Sequence, residues 1–362
     1  MKKKNVLMLL SNGFDPDVRV YKEAKSLINN GYSVAIFCLD RNCNLKKEEV
    51  FKGIKIKRFR IGKVKSGNPF FVFISLIKFY LKIIKELKVN NNYDIVHCHD
   101  FDTAYLGIFL KKKYSKKFIY DIHDLYESNL KNYIIFKKII QKIDSFFCKK
   151  ADCLIIVNDY FKNISQIKNK KTITIMNVPL LKSLINSNKS DGIFYSGNLN
   201  NQREMSFVFN VCKKLKEKFI IAGDGPLFDF YVKKFNSNFF HFLGRISPSD
   251  VEKKTSEAKI IIAPYNIKYK NNKLASPNKL FDAMKYGKPV LVSKNTVMGV
   301  IVNEEKCGEE FIYNDEKDLI KKINLIKNNY YFYSKNSFNA FKTKYNWRIM
   351  EKKLIKMYKE LL

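Results

Sequence analysis

Several things that would simplify a reading are scarce in this 362-residue chain: long apolar runs, paired cysteines, arginine and histidine. No run reaches the roughly 18 uninterrupted apolar residues of a membrane-spanning helix. The longest candidate, Phe70 to Ile84, is broken by Lys78 and Lys82. The N-terminal MKKKNVLMLL starts basic and turns apolar, but Asn12, Asp15 and Asp17 stand where a small-residue cleavage site belongs, so it reads as a first strand and not a signal peptide. Seven cysteines without a CxxC pair argue against a disulfide framework or a zinc cluster and fit a reducing cytoplasm. Four histidines show no metal-ligand spacing. The net charge of +34 invites an anionic partner, yet only seven of the 68 basic residues are arginine, the side chain favoured for phosphate forks. That imbalance fits the composition of an AT-rich genome better than nucleic-acid recognition, and no nucleic-acid partner is expected.

What is present is an alternation of short apolar runs with longer segments of helical period, the pattern of parallel sheets covered by helices. The first series runs Val6–Leu10, Val34–Leu39, Ile54–Phe59, Asp94–Cys98, Phe118–Ile122, Cys153–Val157 and Thr172–Ile175, with helices expected at Arg19–Asn30, Phe70–Lys88, Thr103–Lys113 and Tyr133–Lys149. A second follows Val178-Pro179 and the polar stretch Ser187–Gly192: Ile193–Ser196, Phe219–Ala222, Phe239–Phe242, Ile260–Ala263 and Pro289–Val292. The class is α/β, with two doubly wound domains expected to face each other across a cleft and to bind ligands at the carboxyl ends of their strands. The expected division is 1–178, 179–335 and a C-terminal helical segment 336–362 packing back across the junction.

The segment SPNKLFDAMKYGKP, Ser276 to Pro289, carries the sharpest local signal. Ser276 suits an N-cap, Pro277 the first helical position, and Gly287 with Pro289 a stop, giving a helix of about three turns. Its amide end suits a phosphate, with Lys279 as a point charge. Asp282 lies about 7 to 8 Å further along the axis, similar to the span from pyrophosphate to ribose in a nucleoside diphosphate. The plainer reading is an ion pair from Asp282 to Lys279 or Lys285 on a solvated face.

SPNKLFDAMKYGKPVLVS, preceded by IIIAPY, resembles the donor-binding segment of family 4 retaining glycosyltransferases of the two-Rossmann GT-B type. So do DVRVYKEAKSLINNGYSVAIF, YDIVHCHDFDT, FIYDIHDLYES, the NVP linker, YSGNLNNQRE, IAGDGP and FLGR, in order over nearly the whole chain. The resemblance implies a donor-binding second domain, an acceptor-binding first domain and no required metal or other cofactor. It implies donor contacts from Gly13, Gly223, Arg245, Ser276, Pro277, Asn278, Lys279 and Leu280, Asp282 on the ribose, Arg203 on the diphosphate and His123 on the donor sugar near the reacting carbon. His99, Asp100 and Asp124 fall to the acceptor side, and His97 is expected to be buried. Two departures stand out: Leu274 and Asp282 replace the family's two glutamates eight apart, and Glu204 follows Arg203 where glycine is common.

Asp15-x-Asp17 and Asp100-x-Asp102 have the spacing of a metal motif, but both precede helices, where aspartate caps are expected. The helices Phe70–Lys88 and Tyr133–Lys150 mix aromatic and aliphatic residues with lysine, which suits an anionic bilayer surface as well as a face packed on a sheet. The resemblance implies a nucleotide-sugar donor, a saccharide or lipid-linked acceptor, and a cytoplasmic enzyme peripheral to the inner face of the membrane. Two other readings share parts of the pattern: a GT-B sugar-nucleotide epimerase, and a non-catalytic basic module for membrane or nucleic acid.

Overall fold

A computed structural model describes residues 3–15, 17–62, 69–129, 134–164, 167, 171–181 and 191–362. The chain divides into two compact units, Met1–Met176 with Met350–Leu362, and Asn177–Ile349. Residues 187–190 of the expected polar linker, Pro16 of the Asp15-x-Asp17 motif and Tyr133 lie outside the described residues.

The first unit is built on an eight-stranded sheet. Its strands are β1 (Asn5–Leu10), β2 (Ser33–Leu39), β3 (Glu48–Phe51), β4 (Ile54–Phe59), β5 (Ile95–His99), β6 (Lys117–Ile122), β7 (Cys153–Ile156) and β8 (Thr172–Thr174), in the order β3-β4-β2-β1-β5-β6-β7-β8. All neighbours are parallel except β3 and β4. The central strands are buried on both faces, which is why they read as continuous apolar runs. Four helices connect them: α1 (Val18–Asn29), α2 (Pro69–Val89), α3 (Phe101–Tyr114) and α4 (Ile134–Lys150). Sequence reading misses β3. Its residues EEVF sit on the sheet edge with Glu48 and Val50 exposed, so no apolar run marks it.

The second unit carries a six-stranded parallel sheet of β9 (Ile193–Ser196), β10 (Phe219–Ala222), β11 (Phe240–Gly244), β12 (Ile260–Ala263), β13 (Val290–Ser293) and β14 (Gly308–Phe311), in the order β11-β10-β9-β12-β13-β14. Its helices are α5 (Ser206–Lys214), α6 (Phe228–Lys234), α7 (Pro248–Glu257), α8 (Lys270–Leu274), α9 (Asn278–Lys285), α10 (Val297–Glu305), α11 (Glu316–Asn328) and α12 (Tyr330–Thr343). A last helix, α13 (Trp347–Leu361), completes the chain. The core is aromatic. Phe209 on α5 stacks on Phe235 with centroids 4.5 Å apart and meets Phe219 at 5.1 Å.

The helix expected to start at Pro277 starts one residue later. Pro277 itself is the capping residue, held at ψ 153 in extended backbone, and no side chain caps this end; Ser276 lies outside the helix, which is eight residues long. Gly287, at φ 59, ends it as expected, because a left-handed residue cannot continue the turn. Behind it α12 packs on the same region, with Ser337 Oγ donating to Lys288 O at 2.9 Å. In the first unit Tyr358 of α13 is fully buried, its hydroxyl 2.8 Å from His97 Nδ1 and its ring edge-on to Tyr32.

The loops after β9 and β10 approach so closely that no side chain fits between them. Gly223 has φ 146, and a Cβ there would lie 1.9 Å from the carbonyl oxygen of Gly197. Its N–H donates to Gly244 O at 2.7 Å, tying the ends of three strands together. Gly223→Ala is therefore expected to destabilise the protein by about 2 kcal/mol or more, measured by urea unfolding; an unchanged midpoint would contradict this close approach.

Candidate functional site

Apart from the antiparallel β3–β4 hairpin at one edge, the strand order reverses direction once in each sheet. The switch falls between β1 and β5 in the first unit and between β9 and β12 in the second. The carboxyl ends beside such a switch are where open α/β sheets bind ligands. Most of the residues singled out in the sequence lie near these two places; Arg245, past the edge strand β11, does not.

At the second-unit switch, Tyr195 on β9 and Tyr265 just after β12 carry two cations. Lys279 Nζ stands 4.0 Å from the centre of the Tyr195 ring and 5.5 Å from that of Tyr265. The Arg203 guanidinium carbon stands 4.1 Å from the centre of Tyr265. Aromatic faces attract cations, so the rings can hold two like charges near one another. Burial, and then the charge of Arg203, hold the Lys279 ammonium well below the ordinary lysine value. Among the described residues Lys279 makes no ion pair with a carboxylate.

Arg203 closes a short 3-10 turn, Asn201–Arg203, whose start is capped by Asn200. Buried Asn272 on α8 fixes the turn by donating to Gln202 O at 3.0 Å and Asn266 O at 2.9 Å. Glu204 replaces glycine without placing a carboxylate against the cations' rings. Its Oε1 accepts from Ser206 N at 2.7 Å at the start of α5, and its carbonyl accepts from Tyr313.

On α9, Leu280 is 1% exposed and its side chain serves the core. Its N–H donates to Pro277 O, so the amide end of the helix comes down to Asn278 and Lys279. That corrects the expected role of Ser276 as the cap. Asp282 is half-buried on the same helix. The lysines considered as its partners go elsewhere: Lys279 to Tyr195, and Lys285 to Glu252, which also accepts from Tyr286 at 2.7 Å. Gly223 lies beside Gly197 in the loop stack, and Arg245 is exposed just past β11.

In the first unit, Gly13 follows β1. Its lack of a side chain has a packing reason, since a Cβ would meet Leu45 Cδ1 at 2.7 Å. Asp17 caps α1 as expected, accepting from the amides of Arg19 and Val20. Asp100 does not cap α3 with its side chain. Its Oδ1 accepts from His123 N at 3.0 Å, its Oδ2 lies 3.4 Å from His123 Nδ1, and its N–H donates to Asp121 O at 2.8 Å. It pays for this with backbone strain, at φ 63 and ψ 168. Residues other than glycine avoid that region at a cost of about 1–3 kcal/mol, and such strain collects at functional sites. Asp124 is exposed two residues beyond β6.

Beneath Asp100 and His123 is a buried polar cluster that sequence reading misses. Asp121 on β6 accepts from Arg19 Nε at 3.1 Å and Nη2 at 2.8 Å, lies 3.0 Å from His123 Nε2, and lies 3.3 Å from His99 Nδ1. Glu23 sits 3.2 Å from Arg19, and His97 stacks on His99 at 4.3 Å. Burial opposes ionisation of Asp121, but Arg19 and His123 outweigh it and hold the carboxyl well below its usual range. Burial, with Asp121 nearby, pushes Glu23 up to about 7. His123 is disfavoured as a cation by burial, yet Asp100 and Asp121 prevail and raise it to about 9. Arg19 is one of only seven arginines in the chain.

Glu23, His97, His99 and Asp121 offer donor atoms within 4.8 Å of one another, and neither Glu23 oxygen has a hydrogen-bond partner. A cation in their midst would compete with Arg19, whose guanidinium already lies against both carboxylates. Asp121 Oδ2 already faces three N–H or ring-nitrogen groups. Arg19 thus pairs with both carboxylates of the group.

The profile described as Glycosyltransferase Family 4 matches residues 17–169, and that described as Glycosyl transferases group 1 matches residues 190–329. A comparison with curated proteins finds no match. Among solved structures the chain is similar to sucrose-phosphate synthase from Thermosynechococcus elongatus, with a TM-score of 0.83 at 16% identity over 99% of both chains. It is also similar to Anabaena HepE in complex with UDP and glucose, with a TM-score of 0.72 at 12% identity over 99% of this chain and 100% of that one. A glycosyltransferase from Rickettsia africae gives 0.70 at 18% identity over 100% and 99%. These likenesses establish the GT-B fold, and the two adjoining profiles identify the chain as a member of the group 1, family 4 glycosyltransferases.

Proposed function

We propose that this glycosyltransferase moves a sugar from a nucleoside diphosphate sugar to a saccharide or lipid-linked glycan, with retention at the anomeric carbon and without a required metal. The observation that carries the reading is the pair of cations, Arg203 and Lys279, held over Tyr265 and Tyr195 at the switch of the second sheet. A diphosphate gains negative charge as the glycosidic bond breaks. Fixed cations at that point stabilise the transition state more than the ground state, doing work that a metal does elsewhere. The amide end of α9 adds its dipole, and Asp282 is assigned to the ribose diol. HepE, solved with UDP and glucose, supports a donor of this class. In the first unit we assign His123 to the donor sugar, and His99, Asp100 and Asp124 to the acceptor.

We place the enzyme at the inner surface of an anionic membrane. Among the described residues no helix is long and apolar enough to cross a bilayer. α4 nevertheless exposes Ile135 (74%), Ile139, Ile143 and Phe146, at helical spacing, beside exposed Lys138, Lys142, Lys149 and Lys150. Its acid, Asp144, is buried against Tyr120. α2 likewise exposes Phe73, Ile77 and Leu81 among Lys78, Lys82 and Lys85. Such faces bury apolar side chains among lipid tails while lysines meet acidic headgroups.

Three nucleoside diphosphates, UDP, GDP and dTDP, are expected to separate in a thermal-shift panel, one raising Tm well above the others. Lys279→Met should weaken that ligand about tenfold or more while leaving the free protein as stable or more so, since an ammonium held out of water is removed. The sign follows from linkage. A lysine whose folded value is depressed penalises the fold at low and neutral pH, and the penalty lifts as pH climbs toward 10.5; the Met variant lacks that rise. Asp282→Ala should weaken the nucleoside diphosphate about tenfold but leave inorganic pyrophosphate unaffected. Equal loss of both would remove Asp282 from the ribose.

Vesicle co-sedimentation tests the membrane placement. Binding to vesicles containing phosphatidylglycerol, little binding to neutral vesicles, and about a tenfold loss in Ile135→Asp/Ile139→Asp are expected. Equal binding to both lipids by the variant and the parent would contradict it.

A further inference from the structure

His123 is gripped from both ring nitrogens, and the two grips differ in kind. On one side Nε2 lies 3.0 Å from Asp121, a residue fully buried in β6. Asp121 is in turn locked by two bonds from Arg19, whose remaining Nη1 donates to Ile175 O at 2.8 Å, just past β8. On the other side Nδ1 lies 3.4 Å from Asp100, whose carboxylate is partly exposed and whose backbone is strained. The first contact is anchored through α1 to the far side of the sheet; the second is longer and reaches the surface.

We propose that Asp121 is a positioning residue of the transfer reaction, which together with Arg19 turns His123 Nε2 inward and leaves Nδ1, shared with Asp100, as the ring edge offered to substrate. The inference rests on the assignment of His123 to the donor sugar. The groups around the imidazole are Asp121 two residues before it on β6, His99 and Asp100 at the end of β5, and Arg19 and Glu23 from α1. The carboxylates outweigh burial and the Arg19 charge, so the ring is an imidazolium at neutral pH, consistent with its rise to about 9. A cation fixed in one orientation can donate from Nδ1 to a sugar hydroxyl while Asp100 accepts from the same hydroxyl. Asp121 itself touches no substrate.

Histidine-labelled protein followed by NMR from pH 6 to 10 tests this, with His123→Gln identifying the resonance. In the parent protein His123 should stay doubly protonated through neutral pH and titrate near 9. In Asp121→Asn its proton affinity should fall about tenfold or more, and kcat should drop about tenfold above neutral pH while the donor KM changes little. Because Asp121→Asn strands Arg19, Arg19→Gln/Asp121→Asn is measured beside it, with a fall in the same direction expected. A parent His123 that titrates near 6.5, or variants whose titration matches the parent, would overturn the inference. The titration needs no donor, so such a failure leaves the nucleoside diphosphate site standing. A shifted titration with unchanged kcat would overturn both this inference and the place of His123 in the reaction.

Discussion

Two positive charges are held close together, partly out of water, at the switch point of the second sheet. Like charges in such a place repel, and burial adds to the cost. The fold supports them with two tyrosine faces, with a turn capped by Asn200 and fixed by Asn272, and with a helix whose amide end adds further positive potential. None of these supplies a full negative charge. The glycine stack at Gly197 and Gly223 brings the strand ends close beside this place, and a Cβ on Gly197 would lie 3.0 Å from Lys279 Nζ. Under the proposed function this is a place prepared for a dianion, and the free protein bears the cost of that preparation.

The first unit solves the opposite problem. Its switch-point cluster is compensated internally: Arg19 neutralises Asp121, and Asp121 with Asp100 neutralises His123. Burial pushes Glu23 up to about 7 and holds His97 well below the ordinary histidine value, so neither adds a full charge at neutral pH. Such a network gives orientation where the second unit gives charge. An enzyme that must stabilise a leaving diphosphate and also orient a sugar and an acceptor needs both kinds of site.

The central strands were legible because strands buried on both faces leave uninterrupted apolar runs. β3 and β14 were not, because EEVF and GEEF are edge strands whose paired glutamates leave no apolar run. Arg203, Lys279 and His123 were reachable through the family resemblance. Tyr195 and Tyr265 were not, since an aromatic in a strand gives no sign of which cation will lie on it. Arg19 and Glu23, four residues apart on α1, lie about a hundred residues from Asp121, and only the parallel pairing of β1, β5 and β6 brings them to it. The start of α9 was misplaced by one residue because proline is acceptable both at the first helical position and, as here, in the extended capping residue; composition alone cannot choose between them.

A crystal structure of the protein with the preferred nucleoside diphosphate bound tests the central claim most directly. The account predicts phosphate oxygens within hydrogen-bonding reach of Arg203, Lys279 and the first amides of α9, and the ribose diol on Asp282. A diphosphate seated away from both cations, with Lys279 still lying over Tyr195 and unengaged, would contradict it.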